Sequence, residues 1–259
     1  RQDVINSIYD GSSGYEFKDD AIQLGMAVLN NSDGSLVAIG SRRNHEGELQ
    51  FNYATSINRH PGSIIKPVLD YGPAIEHLNW NTYTPLFDEE TPYNKGGVIK
   101  NWNGKYSGIV TLKTGLSKSM NTTALQAFHA TTNEQKWDFA TSLGITPGND
   151  NGKIFESASI GAFEGTNPKQ MAGAYSAFAN GGYYTEPHAV KSIKYKESGE
   201  TEEIKYTRKR VMKETTAYLI TNVLFNVTPG ASYVRGTQVA TKTGTSSYDE
   251  DRLRKEGIS

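Results

Sequence analysis

The sequence contains no cysteine, which removes disulfides, thiolate nucleophiles and cysteine-type zinc sites. The absence also suits a protein that works outside the cytoplasm and avoids free thiols. An excess of either charge is missing too: 27 Lys and Arg stand against 28 Asp and Glu, a formal net charge of −1. No basic field is therefore available to attract nucleic acid. No apolar run approaches the ~18–20 residues of a membrane span, and the N-terminus carries no signal-peptide pattern. Any membrane anchor is expected outside this segment. The five histidines (His45, His60, His77, His129 and His188) show no ligand spacing, so neither a metal nor a cofactor is expected. Internal repeats and low-complexity tracts are absent.

What remains is ordinary globular material. The chain has 259 residues, 36% of them hydrophobic, with 26 glycines, enough to bury the core of one large domain or two small ones. Residues 1–20 are polar and turn-rich and read as a linker, leaving 21–259 as the domain. Two short apolar runs within 24–39 flank Asp33-Gly34 and predict a β-hairpin. A short helix is expected after Ser63, interrupted at Gly72-Pro73. Residues 79–108 show no sustained period and predict a long loop that covers a site; Trp102 either walls the cleft there or packs the loop. Residues 111–130 predict two helices broken by a tight turn at 119–121, with Asn121 capping the second. Further helices are expected over 133–143, over 213–227, and after Asn167-Pro168, where Met171, Ala174, Tyr175 and Phe178 form the buried face. A hairpin is expected about Ser198-Gly199 and a strand over 239–245.

One motif suggests chemistry. Ser63 and Lys66 form the only S-x-x-K in the chain, and at that spacing a helix places both side chains on one face, about 5–6 Å apart at Cβ. Serine needs a neighbouring base, and a lysine serves if burial or a second positive charge lowers its pKa. Serine acyl-transfer enzymes of this kind add a second hydroxyl with an amide, S-x-N, and a K-T-G strand. Both occur twice. Ser56-Ile57-Asn58 lies too near Ser63 to return from another element, whereas Ser119-Met120-Asn121 follows a long excursion. Lys113-Thr114-Gly115 sits within a helical period, whereas Lys242-Thr243-Gly244 follows β-type residues. The set selected is Ser63 and Lys66, Ser119 and Asn121, and Lys242, Thr243, Gly244 and Thr245.

With these motifs in place the chain resembles the transpeptidase domain of class A, bifunctional penicillin-binding proteins. The likeness extends to Asn52-Tyr53-Ala54-Thr55 before Arg59-His60-Pro61-Gly62-Ser63, to Asn101-Trp102, and to Gly108-Ile109-Val110-Thr111-Leu112. Its most specific stretch is 167–182, opening Asn167-Pro168-Lys169-Gln170 and closing Asn180-Gly181-Gly182. Gly115 departs from the family, which more often has Ala there. The resemblance implies an α+β, β-lactamase/transpeptidase-like fold, with an antiparallel sheet covered by helices on both faces. It implies that Ser63 is acylated by peptidoglycan stem peptides or by β-lactams, with Lys66 as base. Ser119 relays a proton, and Asn121 holds the substrate amide. Lys242, Thr243 and Thr245 bind the substrate carboxylate, and Gly244 lets the substrate lie close. The backbone N–H groups of Ser63 and Thr245 form the oxyanion hole.

The family places further strands and a helix after K-T-G. The resemblance therefore implies that they lie beyond Ser259, as a second segment or a separate chain produced by a nick near 249–255. It also implies the outer face of a bacterial membrane and an upstream glycosyltransferase. Two alternatives use the same residues: a D,D-carboxypeptidase or β-lactamase with water as acceptor, and a catalytically silent β-lactam sensor. Glu156 and Glu164 are the acids to weigh for a hydrolase, but no E-x-x-L-N accompanies them.

Overall fold

The computed structural model describes residues 1–44, 51–148, 151–225, 227 and 237–246. In chain order the elements are α1 (Gln2–Tyr9), β1 (Met26–Leu29), β2 (Leu36–Gly40), a composite helix ending in α2 (Gly72–Leu78), β3 (Pro85–Asp88), β4 (Thr91–Pro92), β5 (Val98–Ile99) and β6 (Gly108–Thr111). Then follow α3 (Leu112–Ser117), α4 (Asn121–Ala130), α5 (Asn133–Ser142), α6 (Pro168–Ala179), β7 (Tyr183–Thr185), β8 (Ser192–Lys194), β9 (Thr201–Glu203), β10 (Arg208–Arg210) and α7 (Glu214–Leu224). Helices and antiparallel strands make this an α+β chain. Residues 1–59, 137–146 and 166–221 form one compact unit, and 60–136, 147–165 and 222–259 form the other.

In the first unit β1 pairs with β2 in the register Val28↔Ala38. Gly34 takes the left-handed turn at φ 77°, and Asp33 Oδ1 accepts from the Ser35 N–H and hydroxyl. The composition of 1–20 predicts a linker, yet residues 2–9 are a helix lying against β2. Ile5 is buried, and the Gln2 amide donates to Ile39 O at 2.8 Å while accepting from Ile39 N at 3.0 Å. One apolar anchor and a side chain that mimics a strand neighbour suffice to order a polar segment. On α6, Asn167 and Gln170 close a reciprocal capping box and Pro168 holds the first position, an arrangement that satisfies two orphan donors. Met171, Ala174 and Phe178 are buried. Tyr175, half-exposed, meets Phe178 edge to face at 5.9 Å. β8 and β9 form the expected hairpin, with Gly199 at φ 71°.

The second unit is built around the composite helix. Gly62–Ile65 is 3-10, Pro67–Tyr71 is π-helical, and α2 continues to Leu78. Proline explains the first change of register. An α ladder would need Pro67 to donate to Ser63 O; lacking an N–H it cannot, and the Lys66 N–H takes that carbonyl. Gly72 N–H then reaches Pro67 O, a π-type bond. The expected break at Gly72-Pro73 does not occur, because Pro73 falls in the first turn of α2, where a missing donor is tolerated. Residues 65–75 are all buried, the mark of a core helix.

Two other expectations are corrected in this unit. Residues 79–108 are not a featureless loop: β3 pairs with β6 (Leu86↔Val110, Phe87↔Ile109) and β4 with β5. Strands of two to four residues are too short to carry a readable period. The K-T-G segment is not a strand among the described residues. A strand needs a neighbouring ladder, and 242–246 has none among the described residues. The described strands of this unit form two antiparallel pairs, and those of the whole chain five. Residues 247–259, where the expected nick falls, lie outside the described residues.

Candidate active site

All the residues selected from the sequence belong to the second unit. Ser63 is the second residue of the 3-10 turn, half-buried, and its hydroxyl has no hydrogen-bond partner among the described residues. Lys66, three residues on, is fully buried. Its Nζ donates to Asn121 Oδ1 at 2.7 Å, Ser119 O at 2.8 Å and Met120 O at 3.2 Å, with Ser119 Oγ at 3.5 Å.

These acceptors exist because of the turn between α3 and α4. Ser119 is one of few non-glycine residues at positive φ, 55°, an uncommon state for a residue with a side chain. The Ser119 and Met120 N–H groups close α3 onto Leu116 O and Gly115 O, and the carbonyls of 119 and 120 both face Lys66. The two halves of S-x-N thus reach one point, which a continuous helix would forbid at this spacing. The cap of α4 is Met120 and not Asn121, which takes the first helical position. Extended backbone defines the cap, and Met120 has it at ψ 135°.

Lys242 Nζ donates to Ser119 Oγ at 2.7 Å and to Thr243 O at 2.9 Å. Ser119 Oγ therefore lies between two lysines. Thr243, Gly244 and Thr245 are exposed, and their backbone runs against the nucleophile turn. A Cβ on Gly244 would stand 2.5 Å from Pro61 O and 3.2 Å from Ile64 N. Gly62, at φ 59°, is enclosed between the Thr245 and Gly161 backbones and has no room for a side chain. The Thr245 backbone thereby approaches the Ser63 turn as closely as only a glycine at 62 permits.

Burial pulls the Lys66 amine down to about 7, helped by the charge of Lys242 and opposed by Asp70. Burial brings Lys242 down to about 8. Asp70 is fully buried, and among the described residues both its carboxylate oxygens lack hydrogen-bond partners. Burial pushes that carboxyl well above its usual range, against the pull of Lys66 and Lys136. The motif reading names neither Asp70 nor Lys136. The spacing of four from Lys66 to Asp70 was available as a signal, but an acid beside a helix motif is ordinarily a solvated face.

The rejected lookalikes fall elsewhere. Lys113-Thr114-Gly115 lies within α3, where Thr111 Oγ1 caps the Thr114 N–H. Residues 56–58 belong to the first unit. Trp102 is 83% exposed, so it packs no core. Glu156 binds His129 and the Asn94 N–H, and Glu164 is exposed. Among the described residues no carboxylate hydrogen bonds to Lys66, Ser119, Asn121 or Lys242.

Residues 24–257 match the family described as penicillin binding protein transpeptidase domain. The chain belongs to that family. It is 38% identical to penicillin-binding protein 1A/1B of Bacillus subtilis over 99% of this chain and 28% of that protein. With penicillin-binding protein 1A of Streptococcus pneumoniae the identity is 30%, over 95% of this chain and 36% of the relative. The chain thus spans about a third of the length of these relatives, which are class A penicillin-binding proteins. Solved penicillin-binding proteins share the β-lactamase/transpeptidase-like fold. Penicillin-binding protein A of Mycobacterium tuberculosis, described as an imipenem acyl-enzyme complex, superposes with a TM-score of 0.73 at 19% identity, covering 87% of this chain and 62% of that one. Penicillin-binding protein 1A of Haemophilus influenzae gives 0.69 at 23% identity, over 86% and 37%.

Proposed function

We propose that this penicillin-binding domain is a serine D,D-transpeptidase that cross-links peptidoglycan stem peptides through an acyl-Ser63 intermediate and is inhibited by β-lactams. The observation that carries the reading is the buried Lys66 amine, held near neutrality one turn from Ser63 and joined through Ser119 Oγ to Lys242. The carboxylate of a D-Ala-D-Ala terminus binds at Lys242, Thr243 and Thr245. Ser63 Oγ attacks the penultimate carbonyl while its proton passes to Lys66. The tetrahedral oxyanion is held by the N–H groups of Ser63 and Thr245; a lost donor in such a hole typically costs ~10²–10³ in rate. The C–N bond then breaks, and Ser119 passes the proton from Lys66 to the departing D-alanine. An amine of a second stem peptide attacks the acyl-enzyme, releasing Ser63 and forming the cross-link. A β-lactam follows the first half of this course and stays bound. The positions of Glu156 and Glu164 favour an amine acceptor over water, since neither offers a base beside Lys66. Residues 21–259 are the domain in this reading. It works on the outer face of a bacterial membrane, anchored by sequence outside this segment; among the described residues no helix is long and apolar enough to cross a bilayer.

Mass spectrometry of the protein incubated with benzylpenicillin tests the proposal. One covalent adduct on Ser63 is expected, absent in Ser63→Ala. An adduct on another residue, or none on folded protein, overturns it. Rapid release of the adduct by water would replace the transpeptidase with a hydrolase.

A further inference from the structure

The chain segment 88–107 touches the site in a way its distance in sequence conceals. Asp88 is 1% exposed and Asn101 7% exposed. Asp88 Oδ1 accepts from Asn101 Nδ2 and from Thr122 Oγ1, each at 2.6 Å, and Oδ2 accepts from the Ser107 N–H at 2.8 Å. Asn101 Nδ2 also donates to Lys105 O at 3.0 Å. With both amide protons used, Asn101 Oδ1 has to be an acceptor, and it takes the Asn121 N–H at 2.8 Å. That N–H is among the first of α4, which have no partner within the helix. The neighbouring carbonyl, Lys100 O, accepts from Asn121 Nδ2 at 2.9 Å. A carbonyl can only accept, so the amide orientation of Asn121 is fixed and its oxygen is turned on Lys66 at 2.7 Å.

We propose that Asn101, clamped by Asp88, is a positioning residue that holds the start of α4 and the adjoining Lys100 carbonyl in place, so that Asn121 Oδ1 meets Lys66, and that it thereby sets the rate of Ser63 acylation. The inference rests on the transpeptidase reading of the same site. Freed from Asn101, the start of α4 loses an acceptor and shifts against the 100–101 backbone, so the Lys100 carbonyl no longer holds the Asn121 amide oxygen on the lysine. The protonated form of Lys66 is then less well solvated. The charged groups facing that amine are Asp70 on its own helix and Lys242 across the turn, with Lys136 facing Asp70; substitution at 101 alters none of them.

The test measures the second-order acylation rate with a fluorescent penicillin against pH, alongside the melting temperature. Asn101→Ala is expected to slow acylation by about 10- to 100-fold, the scale of a small misplacement of catalytic groups, and to move the acid limb to lower pH. Asn101→Asp, which sets a second carboxyl against Asp88, is expected to be slower still. The double variant Asp88→Asn/Asn101→Asp restores a donor and an acceptor to the pair and should recover part of the rate, which decides the matter if Asn101→Ala does not fold. A lowered melting temperature with unchanged rate and pH profile reduces Asn101 to a loop anchor and overturns the proposal, as does a double variant no faster than Asn101→Asp. If the unsubstituted protein takes no label on Ser63, the transpeptidase reading itself fails and this inference with it.

Discussion

Lys66 and Lys242 are two amines whose protons burial loosens, and the proposed reaction has a use for the opposite state in each. In the proposed mechanism acylation needs Lys66 neutral, so its rate should rise as pH passes about 7. The same proposal needs Lys242 charged to bind the carboxylate, so the rate should fall as pH passes about 8. A narrow bell is expected in the pH dependence of penicillin acylation, its limbs belonging to the coupled pair. Lys242→Met removes one cause of the lowered Lys66 value, so the acid limb should move to higher pH. Stability carries the same sign. Protonating Lys66 favours the unfolded chain, whose value is the ordinary 10.5. The penalty is complete below about pH 7 and disappears toward 10.5, so urea midpoints should climb across that window. A midpoint that falls there instead would show that Lys66 stays charged in the folded state. The motif residues could be chosen from the sequence because order and context separated the duplicates. Asp70, Asp88 and the role of Asn101 could not, since a buried acid and a solvated one are written identically.

Gly115 shows propensity and packing in conflict. Helix propensity alone says that Ala, the family's usual residue there, should stabilise α3 by roughly 1 kcal/mol. A Cβ at 115 would stand 2.6 Å from Thr123 Oγ1 and 3.1 Å from the Tyr71 hydroxyl, which hydrogen bond to each other at 2.8 Å. Gly115→Ala is therefore expected to destabilise by about 1–3 kcal/mol, the usual cost of overpacking, read as a lower melting temperature. A rise would show that the Tyr71–Thr123 pair moves aside freely. Elements with a strong local code were legible: the 24–39 hairpin, the turn at 119–121, and the start of α6 at Asn167-Pro168. The short strands β3 to β6 were not, and neither was the course of the helix through Pro73. Those features depend on which neighbour completes a hydrogen bond, which no local pattern records.

At the scale of the molecule, neither compact unit is contiguous, since each is assembled from three stretches of chain. The fragment 60–136 carries Ser63, Lys66, Ser119 and Asn121 but lacks the Gly161 backbone against Gly62 and the 242–245 segment. Expressed alone, it is expected to show no cooperative melting and no penicillin label; a labelled fragment would show that the four residues assemble unaided. The enclosure of residues 65–75 has a further consequence, in the exchange of amide protons with solvent. With no exposed turn between Lys66 and Ile75, this stretch has no local opening route, and its amides should exchange only through global unfolding. The machinery proposed to activate Ser63 is thus expected on the most slowly exchanging part of its unit. In rising denaturant, penicillin labelling and core structure should therefore disappear together, leaving no folded but unreactive form between them.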